Sequence, residues 1–256
     1  MKRAKAGVFL EVFCGSGRML AAWRLRFKSQ REAFELDFRH DAQSDLLLRR
    51  VRQLVRGWVR GRLIVATWIA TPCHSLSRAR NRPNGPPPLR TRQYPLGLPG
   101  LSPNDQIKVE RGNILATFSF SLFLLARSLN IPVVIENPST SWLWQLPGAL
   151  SLIRIRSTRV VDFDFCAFAT PWRKRTRLLC CHLNLDPLVQ CTCSGRGVCA
   201  FSRRPHQVLE GKDASGTFWT HIAEPYPKGL CRLVAQCFQQ ALRNHTFRSL
   251  DRFCGA

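Results

Sequence analysis

Arg62-Leu-Ile-Val-Ala-Thr-Trp-Ile-Ala-Thr-Pro-Cys-His-Ser-Leu-Ser77 begins as an apolar, strand-like run and changes character at Thr71-Pro72. Its apolar part ends at Ala70, so Cys73 and the polar residues after it fall at the end of a strand. Ile131-Pro-Val-Val-Ile135 repeats the arrangement and closes on Glu136-Asn137-Pro138. A thiol and a carboxylate at the ends of two strands of one sheet can converge on one small ring.

Working outward, strand and helix signals alternate. Residues 8–13 read as a first strand, Gly15-Ser-Gly17 as the turn, and residues 19–23 as the opening of a helix. A short second strand covers 33–37. Ser44 is expected to cap a helix reaching 58, because Leu46, Leu47, Val51, Leu54 and Val55 fall at helical spacing. Residues 78–105 are rich in Pro, Gly and Arg and predict a long loop without a core pattern. A helix over 106–129 then leads into the strand at Ile131. Residues 160–165 and 176–180 read as further strands, 181–216 as a Cys-rich irregular stretch, and 228–243 as a last amphipathic helix. Internal repeats are absent. This alternation predicts an α/β fold with a doubly wound, mostly parallel sheet. The expected division is a catalytic core over 1–180, a short Cys-rich segment over 181–222, and a C-terminal helix over 223–256 that returns to the core.

The chain has 256 residues, 45% of them apolar, which argues against global disorder and allows a sizeable core. Its net charge is +23, carried mostly by Arg. A polyanionic partner, most simply nucleic acid, accounts for this; a codon bias toward Arg is the alternative. The 11 cysteines are odd in number and the basic N-terminus lacks a long apolar stretch, so an intracellular, reducing setting is expected. The nucleus or another DNA-containing compartment fits. The apolar run 114–126 is shorter than the roughly 18–20 residues of a spanning helix, so no membrane association is expected. A monomer is expected.

Phe13-Cys14-Gly15-Ser16-Gly17 at a strand-to-helix turn would let backbone approach a ligand, with free N–H groups at the helix start; tight turns also need glycine for their own sake. Asp37, with Glu35, stands where an α/β nucleotide site binds ribose hydroxyls. Asp45 can reach an adenine amino group, or serve only as a first-turn helix acid. For Cys73 the alternative to a nucleophile is a buried structural cysteine. For Glu136 it is an exposed strand-end acid.

Together these motifs resemble the DNA cytosine-5 methyltransferase family. Glu11-Val-Phe-Cys-Gly-Ser-Gly17 is similar to that family's Asp-Leu-Phe-Cys-Gly-x-Gly cofactor motif. Pro72-Cys73-His74-Ser75-Leu76-Ser77 resembles its Pro-Cys-Gln-x-Phe-Ser motif, Glu136-Asn137-Pro138 its Glu-Asn-Val motif, and Arg173-Lys174-Arg175-Thr176-Arg177 its Gln-x-Arg-x-Arg motif. The resemblance implies a seven-stranded Rossmann-like sheet, S-adenosylmethionine as cofactor, and a flipped-out cytosine in DNA as substrate, with RNA as the alternative. It implies Cys73 as nucleophile toward C6, with neighbouring arginines favouring its thiolate. Glu136 would hold the N3 side of the base, and Arg175 and Arg177 its O2 side. Phe13, Gly15, Gly17, Glu35, Asp37, Asp45 and Pro72 would contact the cofactor. Ser77, Arg78, Arg80, Arg82 and Asn137 would contact nucleic acid, with Arg90 and Arg92 in the same basic loop.

The chain departs from the family in four places. His74 and Arg173 stand where Gln is usual, the recognition segment is short, and Ala223-Glu-Pro-Tyr-Pro227 occupies the place of a late Gly-Asn motif. A protein that keeps the fold and binds nucleic acid without turnover is therefore the rival reading. Cys191, Cys193, Cys199 and His206 form one zinc set, but without paired Cys-x-x-Cys knuckles the expectation is no metal.

Overall fold

The structure, a computed structural model, describes residues 7–28, 32–81, 86–195 and 197–251. Six strands form one sheet in the order β2-β1-β3-β4-β6-β5: β1 Val8–Val12, β2 Ala33–Leu36, β3 Ile64–Ala70, β4 Val133–Pro138, β5 Arg159–Asp164 and β6 Arg175–Cys181. The first four strands pair in parallel. β6 runs antiparallel to both β4 and β5, so the sheet is mixed and β5 points the same way as β4. The C-terminal ends of β1 to β5 therefore share one edge, where open α/β sheets bind ligands.

The expected seventh strand is not found among the described residues. The chain between β2 and β3 is spent on a 3₁₀ turn, Ala42–Ser44, and one crossover helix, α2 Arg49–Arg60, and returns directly to the sheet centre.

Helices cover both faces. α1 Arg18–Phe27 and the long α6 Lys228–Asp251, which follows the one-turn α5 Trp219–Ile222, pack on one side; α2, α3 Pro103–Ser128 and α4 Pro147–Ile153 pack on the other. Strand residues alternate between the two cores. Phe9, Trp68, Val134 and Leu178 face α1 and α6, whereas Leu10, Ile69, Ile135 and Leu179 face the opposite layer. Trp23 of α1 is sandwiched between Phe9 and Phe27, with ring centroids 4.3 and 4.0 Å away. Fully burying each such ring contributes about 1.5–3 kcal/mol.

Local chemistry moved several boundaries. Ser44 caps no helix: Asp41 caps the 3₁₀ turn, accepting the Gln43 N–H and the Ser44 hydroxyl, and α2 starts only at Arg49. α3 starts a turn early because Ser102 accepts the Asp105 N–H and Pro103 fits the first helical position. By length and composition α3 could cross a membrane, yet Ala116, Phe118, Leu122 and Phe123 are buried in the core. The Pro/Gly/Arg loop is not wholly solvated: Leu89 and Arg90 are buried, Arg90 by bonds to Ser75 and to Val109 of α3.

Candidate active site

At the end of β1 the backbone turns sharply, with Phe13, Gly15 and Gly17 all at positive φ (61°, 55° and 64°). For Phe13 this costs about 1–2 kcal/mol, held in place by its N–H bond to Leu36 O at 2.7 Å. A side chain at Gly15 would press on Arg39, and one at Gly17 on Glu35. These glycines let the β2 residues close on the turn.

Asp37 binds this turn directly. Its Oδ2 accepts the Gly15 N–H at 3.0 Å and Arg39 Nη2 at 3.1 Å; its Oδ1 accepts Arg39 N and Nε at 2.9 and 3.2 Å. Burial opposes the Asp37 charge, but these bonds prevail and hold its pKa below the usual carboxylate value. Arg39 also reaches Glu224 at 3.7 Å, spanning the space beside the turn. Glu35 lies half-buried, 3.7 Å from His40, whose Nδ1 is 3.5 Å from the buried Cys14 Sγ. Asp45 caps the Leu47 N–H with Oδ1 ahead of the helix that starts at Arg49, so it holds no first-turn helix position. Glu11, in the middle of the sheet, accepts the Leu20 N–H at 2.6 Å, while its Oε1 has no partner. Burial, reinforced by Glu35 and Asp37, raises its pKa to about 8.

On β3, the strand next to β1, Pro72 and Cys73 are half-buried just past the strand's end. Beside them Glu136 sits inside β4, in register with Ala70, and is buried. Tyr226 Oη donates to Glu136 Oε2 at 2.6 Å and accepts from Trp68 Nε1 at 3.3 Å. Burial raises the Glu136 pKa, against the lowering effects of Lys174 and the Tyr226 bond. The Cys73 thiol is also pushed up by burial; Lys174 pulls it down, and Glu136 and Glu224 push it up. The cation that pulls the thiol's pKa down is thus Lys174 rather than an arginine.

Strand parity explains this. Arg177 opposes Asn137 on β4, while Glu136 opposes Leu178, so Arg175 and Arg177 point to the face away from Glu136. There Arg177 forms two bonds to Asp162, at 2.7 and 2.9 Å, and stacks 5.9 Å above Trp144, and Arg175 lies 3.9 Å from the same Asp162. Neither shares a face with Glu136. Lys174 bonds Ala223 O at 3.0 Å and Arg18 bonds Tyr226 O at 2.8 Å, so the 223–227 segment is tied from both sides.

The expected nucleic-acid contacts divide. Asn137 is buried; its Nδ2 donates to Thr71 O at 2.6 Å and braces the loop that carries Cys73. Arg90 is fully buried with all five N–H donors paired: Nε to Ser75 O, Nη1 to Pro95 O and Asn113 Oδ1, Nη2 to Ser75 Oγ and Val109 O. It cannot clamp phosphate. Arg80 bonds Pro87 O, Ser77 is half-buried, and exposed Arg78 stacks 4.3 Å over Trp142. Arg92 is exposed, and Arg82 lies outside the described residues. Sequence reasoning misses Tyr226 and Lys174. The segment standing in for the Gly-Asn motif is the only signal for the first, and strand parity is needed for the second.

No protein-family model matches the chain, and no curated protein matches it. Among solved structures it is similar to the Entamoeba histolytica methyltransferase EhMeth, with 10% identity, 69% of this chain and 53% of that chain covered, and a TM-score of 0.37. It is also similar to a mutant of Spodoptera frugiperda DNMT2, with 13% identity, 68% and 50% covered, and a TM-score of 0.32. The chain spans about half the length of these structures.

Proposed function

We propose that this chain is an S-adenosylmethionine-dependent methyltransferase acting on C5 of cytosine in nucleic acid, with DNA as the favoured polymer. The observation that carries this reading is the placement of Cys73 and Glu136 at the same edge of neighbouring parallel strands, with Lys174 acting on both and the Gly15–Gly17 turn on the strand beside them. The net charge of +23 supports a polyanionic substrate.

Cys73 adds as a thiolate to C6 of an extruded cytosine, forming an S–C6 bond and shifting electron density to C5. Lys174 favours that thiolate. Glu136, whose hold on a proton burial strengthens, donates to N3 and accepts from the exocyclic amine, neutralising the charge that builds on the ring. Once C5 carries the methyl group, its proton passes to a solvent base, the C5–H electrons restore the C5–C6 double bond, and Cys73 leaves as the thiolate.

The turn fits the cofactor in part. Gly15 and Gly17 leave backbone approachable, Glu35 and Asp37 stand at the ribose position, and the unpartnered Glu11 Oε1 marks a buried polar atom nearby. Asp37, however, has its acceptor sites filled by Gly15 and Arg39, so the half-exposed Arg39 side chain has to swing aside to free it. When bound there, S-adenosylmethionine supplies an activated methyl group for C5.

The same Arg39 contact favours the rival reading, a binding protein without turnover. Tritiated S-adenosylmethionine with mixed-sequence DNA, and separately RNA, distinguishes them. Radioactivity in polymer that is lost in Cys73→Ser supports the enzyme. None in either polymer, together with no cofactor binding, overturns it.

A further inference from the structure

Beyond this edge of the sheet lies a cluster that the proposed chemistry does not use. Cys166, Cys193, Cys199 and His206 bring three sulfurs and one ring nitrogen within 4.8 Å of one another. We propose that these four side chains bind one zinc ion, which staples the Cys-rich segment to the end of β5.

The geometry suits that ion. A tetrahedral Zn–S length near 2.3 Å places neighbouring sulfurs about 3.8 Å apart, and a sulfur and imidazole nitrogen about 3.6 Å apart. Cys193 Sγ and His206 Nε2 are 3.7 Å apart. Three thiolates and one imidazole in a closed set match a structural zinc site.

The surroundings match too. The three cysteines are only 1–2% exposed yet belong to neither main core; among the described residues they form a separate small cluster with the partly buried Ala200 packed against it. Leu183, Leu185 and Leu188 anchor the start of the segment in a main core, but the loop from Cys193 to His206 has little apolar surface of its own to hold it down. Backbone N–H groups already point at the sulfurs, Ala200 N to Cys193 Sγ at 3.3 Å and Ser202 N to Cys199 Sγ at 3.5 Å, as outer contacts to metal thiolates do. Cys193 N donates to Asp164 Oδ2 at 2.8 Å, while Asp164 Oδ1 takes Arg173 Nε at 3.1 Å, fixing the ligand loop to β5. Gly195 lies in the same loop, where a side chain would collide with the Val198 carbonyl.

The set differs from the one the sequence suggested. Cys191 ends the 3₁₀ turn Asp186–Cys191 and points its thiol toward Pro187 O, 3.6 Å away. Cys166 takes its place, from the 3₁₀ turn Phe165–Phe168 directly after β5.

The full chain, purified under reducing conditions with zinc and then dialysed, is to be assayed for metal content. About one zinc per chain is expected in the wild type and in Cys191→Ser, with loss in Cys166→Ser and Cys193→Ser. Replacing zinc with cobalt(II) in the wild type reads the ligands without mutation: intense tetrahedral bands with thiolate charge transfer typical of three sulfurs are expected. A metal-free chain, a disulfide among these cysteines, octahedral cobalt spectra, or metal lost in Cys191→Ser but retained in Cys166→Ser would each overturn the assignment. None of these readouts depends on methyl transfer.

Discussion

Tyr226 Oη donates a 2.6 Å hydrogen bond to Glu136 Oε2 across 90 positions of sequence, and both side chains are buried. The loop before α6 thereby completes a site otherwise built from strand ends. Tyr226→Phe leaves the Glu136 oxygen and Trp68 Nε1 without this partner and should cost about 1–3 kcal/mol of stability, read by urea denaturation. Because the bond favours the carboxylate, its loss raises the Glu136 pKa further. The alkaline limb of the methyl-transfer pH profile should move to higher pH; an unmoved limb would remove Glu136 as the group it reports.

Lys174 is the cation that lowers the Cys73 pKa. Lys174→Met should therefore raise the thiol pKa and move the acid limb of the profile upward, with roughly a tenfold loss of rate at neutral pH for each pH unit that the limb moves. Lys174→Arg should recover most of the rate. Arg177→Met should leave that limb in place, because Arg177 is bound to Asp162 on the other face.

Glu11 makes stability pH-dependent. Its folded pKa of about 8 lies above the ordinary 4.5, so the folded state holds a proton that the unfolded state has lost between those values. Stability is greatest below the lower value and falls as pH rises toward the upper one, by at most about 1.4 kcal/mol per pH unit. Glu11→Gln should flatten this decline and make the variant the more stable protein at pH 8. Thermal melts from pH 5 to about pH 8 check it.

Arg90 and Arg78 should behave oppositely. Arg90→Met leaves five acceptors, three of them buried, without their donor and should destabilise by about 3–5 kcal/mol. Arg78→Ala should leave stability nearly intact but reduce the slope of log affinity for DNA against log salt by about one. A salt slope unchanged in Arg78→Ala would remove this side chain from the phosphate contacts.

The alternation of apolar runs with Gly, Ser and Pro punctuation makes β1, β3, β4 and the helices between them legible, because central parallel strands are apolar on both faces. It places Cys73 and Glu136 at strand ends for the same reason. Parity on β6 is not legible: it depends on register with β4, and a shift of one residue exchanges Lys174 and Thr176 for Arg175 and Arg177. Arg90 reads as solvated because a Pro-rich loop carries no periodicity to reveal that its carbonyls converge on one guanidinium. Cys166 escapes the cysteine cluster because it belongs to the end of β5, far from the Cys-rich stretch in sequence. The six strands legible in the sequence are the six of the sheet, whereas the seventh is implied only by the family resemblance.

The central claim is covalent attack by Cys73. DNA with 5-fluorocytosine in place of cytosine tests it directly, because fluorine at C5 cannot leave as a proton would and the S–C6 bond persists. With S-adenosylmethionine present, the account expects a chain–DNA complex that survives denaturing electrophoresis, maps to the peptide containing Cys73, and is absent from Cys73→Ala. Methylation of ordinary cytosine without such a complex, or a complex through another cysteine, would contradict it.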